Sequence, residues 1–217
     1  MGGLRSPDSV TEPTYDREFW ERLWSKTLSE SGDRVAQRPP NGHLTAEIDG
    51  LAPGLALDAG CGHGAEALWL AAHGWRVTAV DFSAAALAQG RSMAAAAGPE
   101  LAGRIEWVEA DLGGWVPEPG RFDLVVSLYV HIAGSVAEMV GRMAAAVAPG
   151  GTLLLVGHRP VDPASGEPTP AAGQVQVSLE AAAPVLDADR WESIVAEERP
   201  RAAGCGVDAV IRARRRA

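Results

Sequence analysis

The chain has 217 residues, 47% hydrophobic and 22% charged, with a formal net charge of −9. That size and balance fit one folded domain with a full core. The acidic balance argues against a nucleic-acid partner, and the basic run at 212–216 (RARRR) reads as a solvated chain end. Cys61 and Cys205 form no C-x-x-C spacing, so neither a metal site nor a disulfide framework is expected. The first residues lack the apolar stretch of a signal peptide and no apolar run is long enough to span a membrane, so the expected location is cytoplasmic.

Residues 1–14 are polar with two prolines and read as a mobile tail. The remainder, 15–217, reads as a single domain. It opens with a helical cap over 15–49, where Tyr15, Phe19, Trp20, Leu23, Trp24 and Leu28 recur at helical spacing. That stripe either packs on the core or closes over a ligand. QRPPNG (37–42) breaks the chain, and a short helix follows around His43 to Ile48; His43 itself reads as a surface residue.

LALDAGCGHGAEALWL (55–70) is a buried strand, a glycine turn and a helix, the first unit of a nucleotide-binding sheet. The glycines let a ligand approach bare backbone, and the helix N-terminus points free N–H groups at it. Strands are expected at 76–80, 105–109, 122–128 and 152–157. Helices starting near Ser83 and Ser135 separate them, and Pro149-Gly150-Gly151 turns the chain into the fifth strand. Residues 158–173 hold four prolines and read as a surface loop on the ligand side of the sheet. Two more strands, 191–197 and 207–212, are joined by a Pro/Gly-rich turn and so pair antiparallel. The fold class is α/β: one doubly wound, Rossmann-like, seven-stranded sheet, mostly parallel with an antiparallel C-terminal strand.

The glycine spacing alone also fits a dinucleotide fingerprint. Asp58, just before the turn, and Glu66, at the start of the helix, instead suit a cationic ammonium or sulfonium and oppose a pyrophosphate. Asp81 ends the second strand and can take both ribose hydroxyls of an adenosine, with Phe82 offering a flat face to the adenine. Asp111 can accept from the adenine amino group while the Leu112 backbone N–H donates to the ring.

Together LDAGCGHG, VTAVDFS, EADL, FDLVVSLYVHI and VAPGGTLLLVGH resemble the class I S-adenosylmethionine-dependent methyltransferases, in order and spacing. Within them the chain is most similar to the small tellurite-resistance and thiopurine methyltransferase-like group. The resemblance implies S-adenosyl-L-methionine as cofactor and a small-molecule acceptor. It places Asp58, Gly60 and Gly62 on the methionine portion, Asp81 on the ribose, and Phe82, Asp111 and Leu112 on the adenine. Ser127 would meet the amino-acid part near the methyl group. Cys61 reads as a small residue that offers backbone, and His63 as a cofactor-side contact or an exposed turn residue. His73, before Gly74, fits a helix C-terminus.

Tyr129, His131 and His158 follow the fourth and fifth strands, where the crevice opens. They are the candidate catalytic set, with His131 as general base or positioning group if the acceptor must lose a proton, or as a cap of the next helix. No acid cluster suits a catalytic magnesium. Two other readings are a non-catalytic S-adenosylmethionine-binding protein and an NAD(P)-dependent oxidoreductase. Asp58 and the lack of a substrate domain disfavour the oxidoreductase.

Overall fold

The computed structural model describes residues 17–132, 134–162, 165–169, 175–201 and 206–217. The expected tail, Tyr15, Cys205 and part of the 158–173 segment lie outside them. One sheet organises the chain: β1 (Leu55–Ala59), β2 (Arg76–Asp81), β3 (Ile105–Glu109), β4 (Phe122–Leu128), β5 (Val147–His158), β6 (Trp191–Pro200) and β7 (Val207–Arg215). Its order is β3-β2-β1-β4-β5-β7-β6. The first five strands are parallel, and β7 inserts antiparallel between β5 and β6.

Both faces of the sheet are covered, so the central strands are apolar on both sides. Alternate residues serve opposite cores. Leu57, Val125, Leu153 and Leu155 face one, and Ala56, Leu124, Leu154 and Val156 the other. The first core is closed by α6 (Val136–Ala146), whose buried Val136, Met139, Val140 and Met143 follow the helical repeat. The second is closed by α2 (Gly42–Glu47), α3 (Ala65–Ala72), α4 (Ala84–Ala97) and the short α5 (Pro99–Ala102). Ser83 and Ser135 cap α4 and α6 by accepting from the third N–H onward, as expected of serine there.

Three details depart from the sequence expectation. Pro149-Gly150-Gly151 is no separate turn: β5 already starts at Val147 and carries a register shift opposite Phe122 and Leu124. Gly150, at φ +81°, accommodates that irregularity. The described part of the 158–173 segment is ordered by a bridge between Val161 and Pro168 and by the Thr169 hydroxyl on the Arg159 carbonyl. Finally, α1 (Arg17–Ala36) is kinked at Ser31 (φ −148°). It docks on the start of α4, where Glu21 accepts from the Ala85 N–H at 3.3 Å, and on β3 through an Arg17–Glu109 ion pair.

Glu47 at the end of α2 is 6% exposed and clamps the antiparallel strands to the helical layer. Its carboxylate lies 2.5 Å from Arg199 on β6 and 3.8 Å from Arg212 on β7. Removing Glu47 takes this counter-charge from Arg212, while Arg199 keeps Glu197 at 2.6 Å and some access to water. Glu47→Ala is therefore expected to lower stability by about 2 kcal/mol, seen as a Tm lower by several degrees in a thermal melt. An unchanged Tm would show that the clamp contributes nothing.

Candidate active site

The sheet order reverses between β1 and β4, and a crevice opens beyond the C-terminal ends of such strands. A cavity of about 830 Å³ occupies that position. Its floor is the β1–α3 turn. The ends of β2, β4 and β5 form its walls, and α1 together with the start of α2 leans over it.

The turn is fastened to β2 by the Gly60 and Cys61 N–H groups, which donate to the Val80 carbonyl at 2.8 and 3.0 Å. Gly60 and Gly62 have φ of +84° and +53°, which a side chain rarely tolerates. A Cβ at Gly60 would stand 2.3 Å from Val130 Cγ2, and one at Gly62 would stand 2.8 Å from the Trp24 ring. The glycines thus make room for the protein's own side chains as well as for a ligand. Trp24 of α1 lies over the turn with its ring 5.5 Å from His63. His63 is buried and lines the cavity, so it is not an exposed turn residue. Cys61 is a buried free thiol whose Sγ lies 3.6 Å from the Gly62 carbonyl. Burial, with the Asp58 and Asp81 charges next, pushes the thiol well up, so it stays protonated.

Three acids gather at this end of the cavity. Asp58 is 2% exposed, and its Oδ2 has no hydrogen-bond partner among the described residues. Burial, then the charges of Glu66 and Asp81, pushes its carboxyl well above the ordinary range. Glu66 accepts from the Asn41 N–H at 3.1 Å, and burial raises its carboxyl too. Asp81 accepts from the Gly62 and Ser83 N–H groups, each at 2.9 Å. Burial raises its carboxyl despite those bonds. Such a cluster is relieved by protons or by a bound cation.

Phe82 and Leu112 line the same end. Asp111 does not. It is exposed, and its side chain accepts from the Gly113 N–H at 2.8 Å, because an Asp at the head of a turn satisfies the nearest free amide. Ser127 is sealed within β4 at 1% exposure and forms no part of the wall. His73 behaves as expected at the end of α3: its ring stacks on Trp69 at 3.9 Å and its Nδ1 lies 2.7 Å from the Trp69 carbonyl.

Tyr129, His131 and His158 converge at the other end. Among the described residues Tyr129 is the one non-glycine at positive φ, +56°. Its ring stacks on His158 at 3.9 Å. Its hydroxyl donates to Asp208 Oδ2 at 2.8 Å and accepts from Asn41 Nδ2 at 3.1 Å. Burial, with Asp208 adding to it, pushes the phenol far above its ordinary value, so Tyr129 is a neutral donor and no base. His131 packs on Trp20 at 5.0 Å. Gln176 is oriented by the His158 N–H, which donates to its Oε1 at 2.9 Å, and so turns its Nε2 donor toward His131 Nε2 at 2.8 Å. That engages the lone pair a general base would need.

Asp208, at the start of β7, is fully buried and was not read from the sequence. Besides Tyr129 it faces His158 Nδ1 at 2.8 Å, Arg201 Nε at 3.3 Å and His43 Nε2 at 3.2 Å. His43 is thus no surface residue; its side chain is 12% exposed because Asp208 holds it. Burial pushes the Asp208 carboxyl up, but the bonds from His158 and Tyr129 outweigh it and hold the group below its ordinary range. A charged residue amid the apolar strand VDAVI was the signal for it.

Among the described residues, no group of three or more His, Cys, Asp or Glu side chains is placed to hold a metal ion, and no helix is long and apolar enough to cross a membrane.

Residues 56–151 match the family model described as a methyltransferase domain. The trans-aconitate 2-methyltransferase of Paracidovorax citrulli is 32% identical over 136 residues, which is 61% of this chain and 49% of that protein. The chain thus spans about half the length of that curated relative. Among solved structures, the N-methyltransferase NodS of Bradyrhizobium japonicum, in complex with S-adenosylhomocysteine, aligns with a TM-score of 0.67 at 18% identity. The alignment covers 90% of this chain and 97% of NodS. The 1,6-didemethyltoxoflavin-N1-methyltransferase of Burkholderia thailandensis aligns with a TM-score of 0.59 at 20% identity, over 98% and 99% of the two chains. At those identities the structures speak for the fold alone.

Proposed function

We propose that this chain, whose residues 56–151 match a methyltransferase-domain family model, is a class I S-adenosylmethionine-dependent methyltransferase that transfers a methyl group to a small-molecule acceptor. The observation that carries the reading is the acid cluster of Asp58, Glu66 and Asp81 around the first glycine turn. Asp58 Oδ2 is buried without a hydrogen-bond partner among the described residues, which fits the ammonium and sulfonium of S-adenosylmethionine and disfavours a pyrophosphate. In this reading Asp58 and the backbone of Gly60, Cys61 and Gly62 hold the methionine portion. Asp81 takes the ribose, and Phe82 and Leu112 flank the adenine. Asp111, bonded to the Gly113 N–H, and Ser127, sealed within β4, do not line the cavity and take no part in this reading.

S-adenosylmethionine, when bound, supplies a methyl group already activated by its sulfonium. The chain's part is then to align and enclose. Trp20 and Trp24 of α1 roof the cavity, supporting residues 15–49 as a cap that excludes water. His131, engaged by Gln176, serves to position the acceptor rather than to take its proton. The likeness to trans-aconitate 2-methyltransferase and the acidic net charge favour a small acceptor. The aromatic α1 over the cavity supports a likeness to the tellurite-resistance and thiopurine methyltransferase-like group.

A thermal-shift experiment tests the cofactor. S-adenosylhomocysteine at a hundredfold excess over its Kd is expected to stabilise the folded protein by about 2.7 kcal/mol, while NAD leaves Tm unchanged. A shift with NAD alone would favour the oxidoreductase. Transfer of a labelled methyl group to a panel of small acceptors then tests catalysis, and binding without any transfer would leave a cofactor-binding protein.

A further inference from the structure

We propose that Asp208 is a positioning residue that fixes His158 as the Nδ1–H tautomer, presenting its Nε2 lone pair to the acceptor side of the cavity as the general base. This rests on the methyltransferase reading above and extends it to an acceptor that carries a removable proton.

β7 runs antiparallel to β5, and its pairing sets Asp208 opposite His158. A residue at the beginning of one strand thereby meets a residue at the end of another, on the edge where the cavity opens. Asp208 is fully buried and held in place by Tyr129, His43 and Arg201, which are also on its oxygens. Two groups contend for His158 Nδ1: Asp208 Oδ1 at 2.8 Å and Arg201 Nη2 at 2.6 Å. Both cannot be hydrogen bonds, since the carboxylate only accepts and the guanidinium only donates. If Nδ1 lacked a proton, two lone pairs would face each other at 2.8 Å away from water, an arrangement the fixed carboxylate could not relieve. If Nδ1 carries the proton, only Arg201 must adjust. Its side chain is 21% exposed, and it already donates to Asp208 through Nε. The carboxylate therefore owns Nδ1, and the bonds it accepts from His158 and Tyr129, with the Arg201 charge adding to them, keep it ionised.

His158 is held by Tyr129 stacked on its ring and by Gln176 on its backbone N–H. As the acceptor X–H attacks, the bond from X to the methyl carbon forms. The carbon–sulfur bond breaks with its electron pair going to sulfur, and the proton on X passes to His158 Nε2. The imidazolium that results faces Asp208. Tyr129 cannot take this proton, because its hydroxyl is a committed donor, and His131 cannot without releasing Gln176.

Long-range 1H–15N NMR of the imidazoles, with His158→Gln for assignment, reads the tautomer without any acceptor. The wild type and Arg201→Gln are expected to show Nδ1–H at His158. Asp208→Asn, which offers an amide donor, is expected to convert it to Nε2–H. In the same samples, carbethoxylation of His158 by diethylpyrocarbonate, followed by mass spectrometry, is expected to slow at least tenfold in Asp208→Asn. An Nε2–H tautomer in the wild type overturns the proposal, as does an unchanged carbethoxylation rate in a folded Asp208→Asn. If Asp208→Asn does not fold, the wild-type tautomer and Arg201→Gln decide. S-adenosylhomocysteine calorimetry on the wild type separates failure of the cofactor reading, which leaves the tautomer result standing.

Discussion

Asp81→Ala is expected to weaken S-adenosylhomocysteine binding by roughly 100-fold or more in titration calorimetry, with the circular dichroism spectrum unchanged. Two effects add. In the proposed site the Asp81 carboxylate would accept from both ribose hydroxyls, and charge-assisted bonds of that kind are worth about 1.5–3 kcal/mol each. The same carboxylate holds the Gly62 N–H and the Ser83 N–H, so it also shapes the turn the ligand rests on. Asp81→Asn keeps one acceptor oxygen and is expected to fall between, at roughly tenfold. Full affinity in the alanine variant would remove Asp81 from the ribose and with it the assignment of the adenosine end.

The second large effect has opposite signs for binding and for stability. Asp58→Asn is expected to lose cofactor affinity by roughly 10- to 100-fold, because a buried carboxylate facing a cation is replaced by a neutral amide. The ligand-free variant is nevertheless expected to melt a few degrees higher at neutral pH, since an ionised carboxylate with an unpartnered oxygen costs about 1–3 kcal/mol. The pH dependence follows from the raised carboxyl. Folded Asp58 keeps its proton to a higher pH than the unfolded chain does, whose ordinary value is 3.8. Below that value both states are protonated and Asp58 has no effect. As pH rises above it the wild type loses stability progressively, until the folded group also ionises and the loss levels off. The Tm gap between variant and wild type should therefore be near zero in acid, widen with pH and then hold constant. A gap that narrows with rising pH would mean that the cluster is already neutralised within the protein. Together the two outcomes describe a site that sacrifices stability for a charged ligand.

These variants could be chosen from the sequence because Asp58, Asp81 and Phe82 sit at fixed short distances from a glycine turn, and local spacing dictates their place. The strand and helix order was legible for the same reason: each element carries its own period and its own cap. What was not legible is whatever depends on distant partners. Asp208 meets His158 across 50 positions, Tyr129 across 79 and His43 across 165, and only the antiparallel register brings them together. His43 looked like a surface residue because nothing within ten positions accounts for its burial. Asp111 went the other way. Its spacing matched the family pattern, but the free Gly113 amide two residues on captured its side chain. His131 lines the cavity, yet its lone pair is engaged by Gln176, which lies 45 positions away.

The position of β7 also governs when the site can come into being. Five parallel strands can be laid down in sequence, each beside an earlier one, yet β5 keeps an open edge until the last strand of the sheet is threaded between it and β6. Pairings of this length are slow to find, and an unpaired central edge is adhesive while it waits. The same event delivers Asp208 to Tyr129, His158 and His43. Completion of the sheet and assembly of the polar end of the cavity are thus one step. A chain that stops before β7 would have its glycine turn and its three acids, and so a place for a cofactor, but no Asp208 to fix Tyr129, His158 and His43.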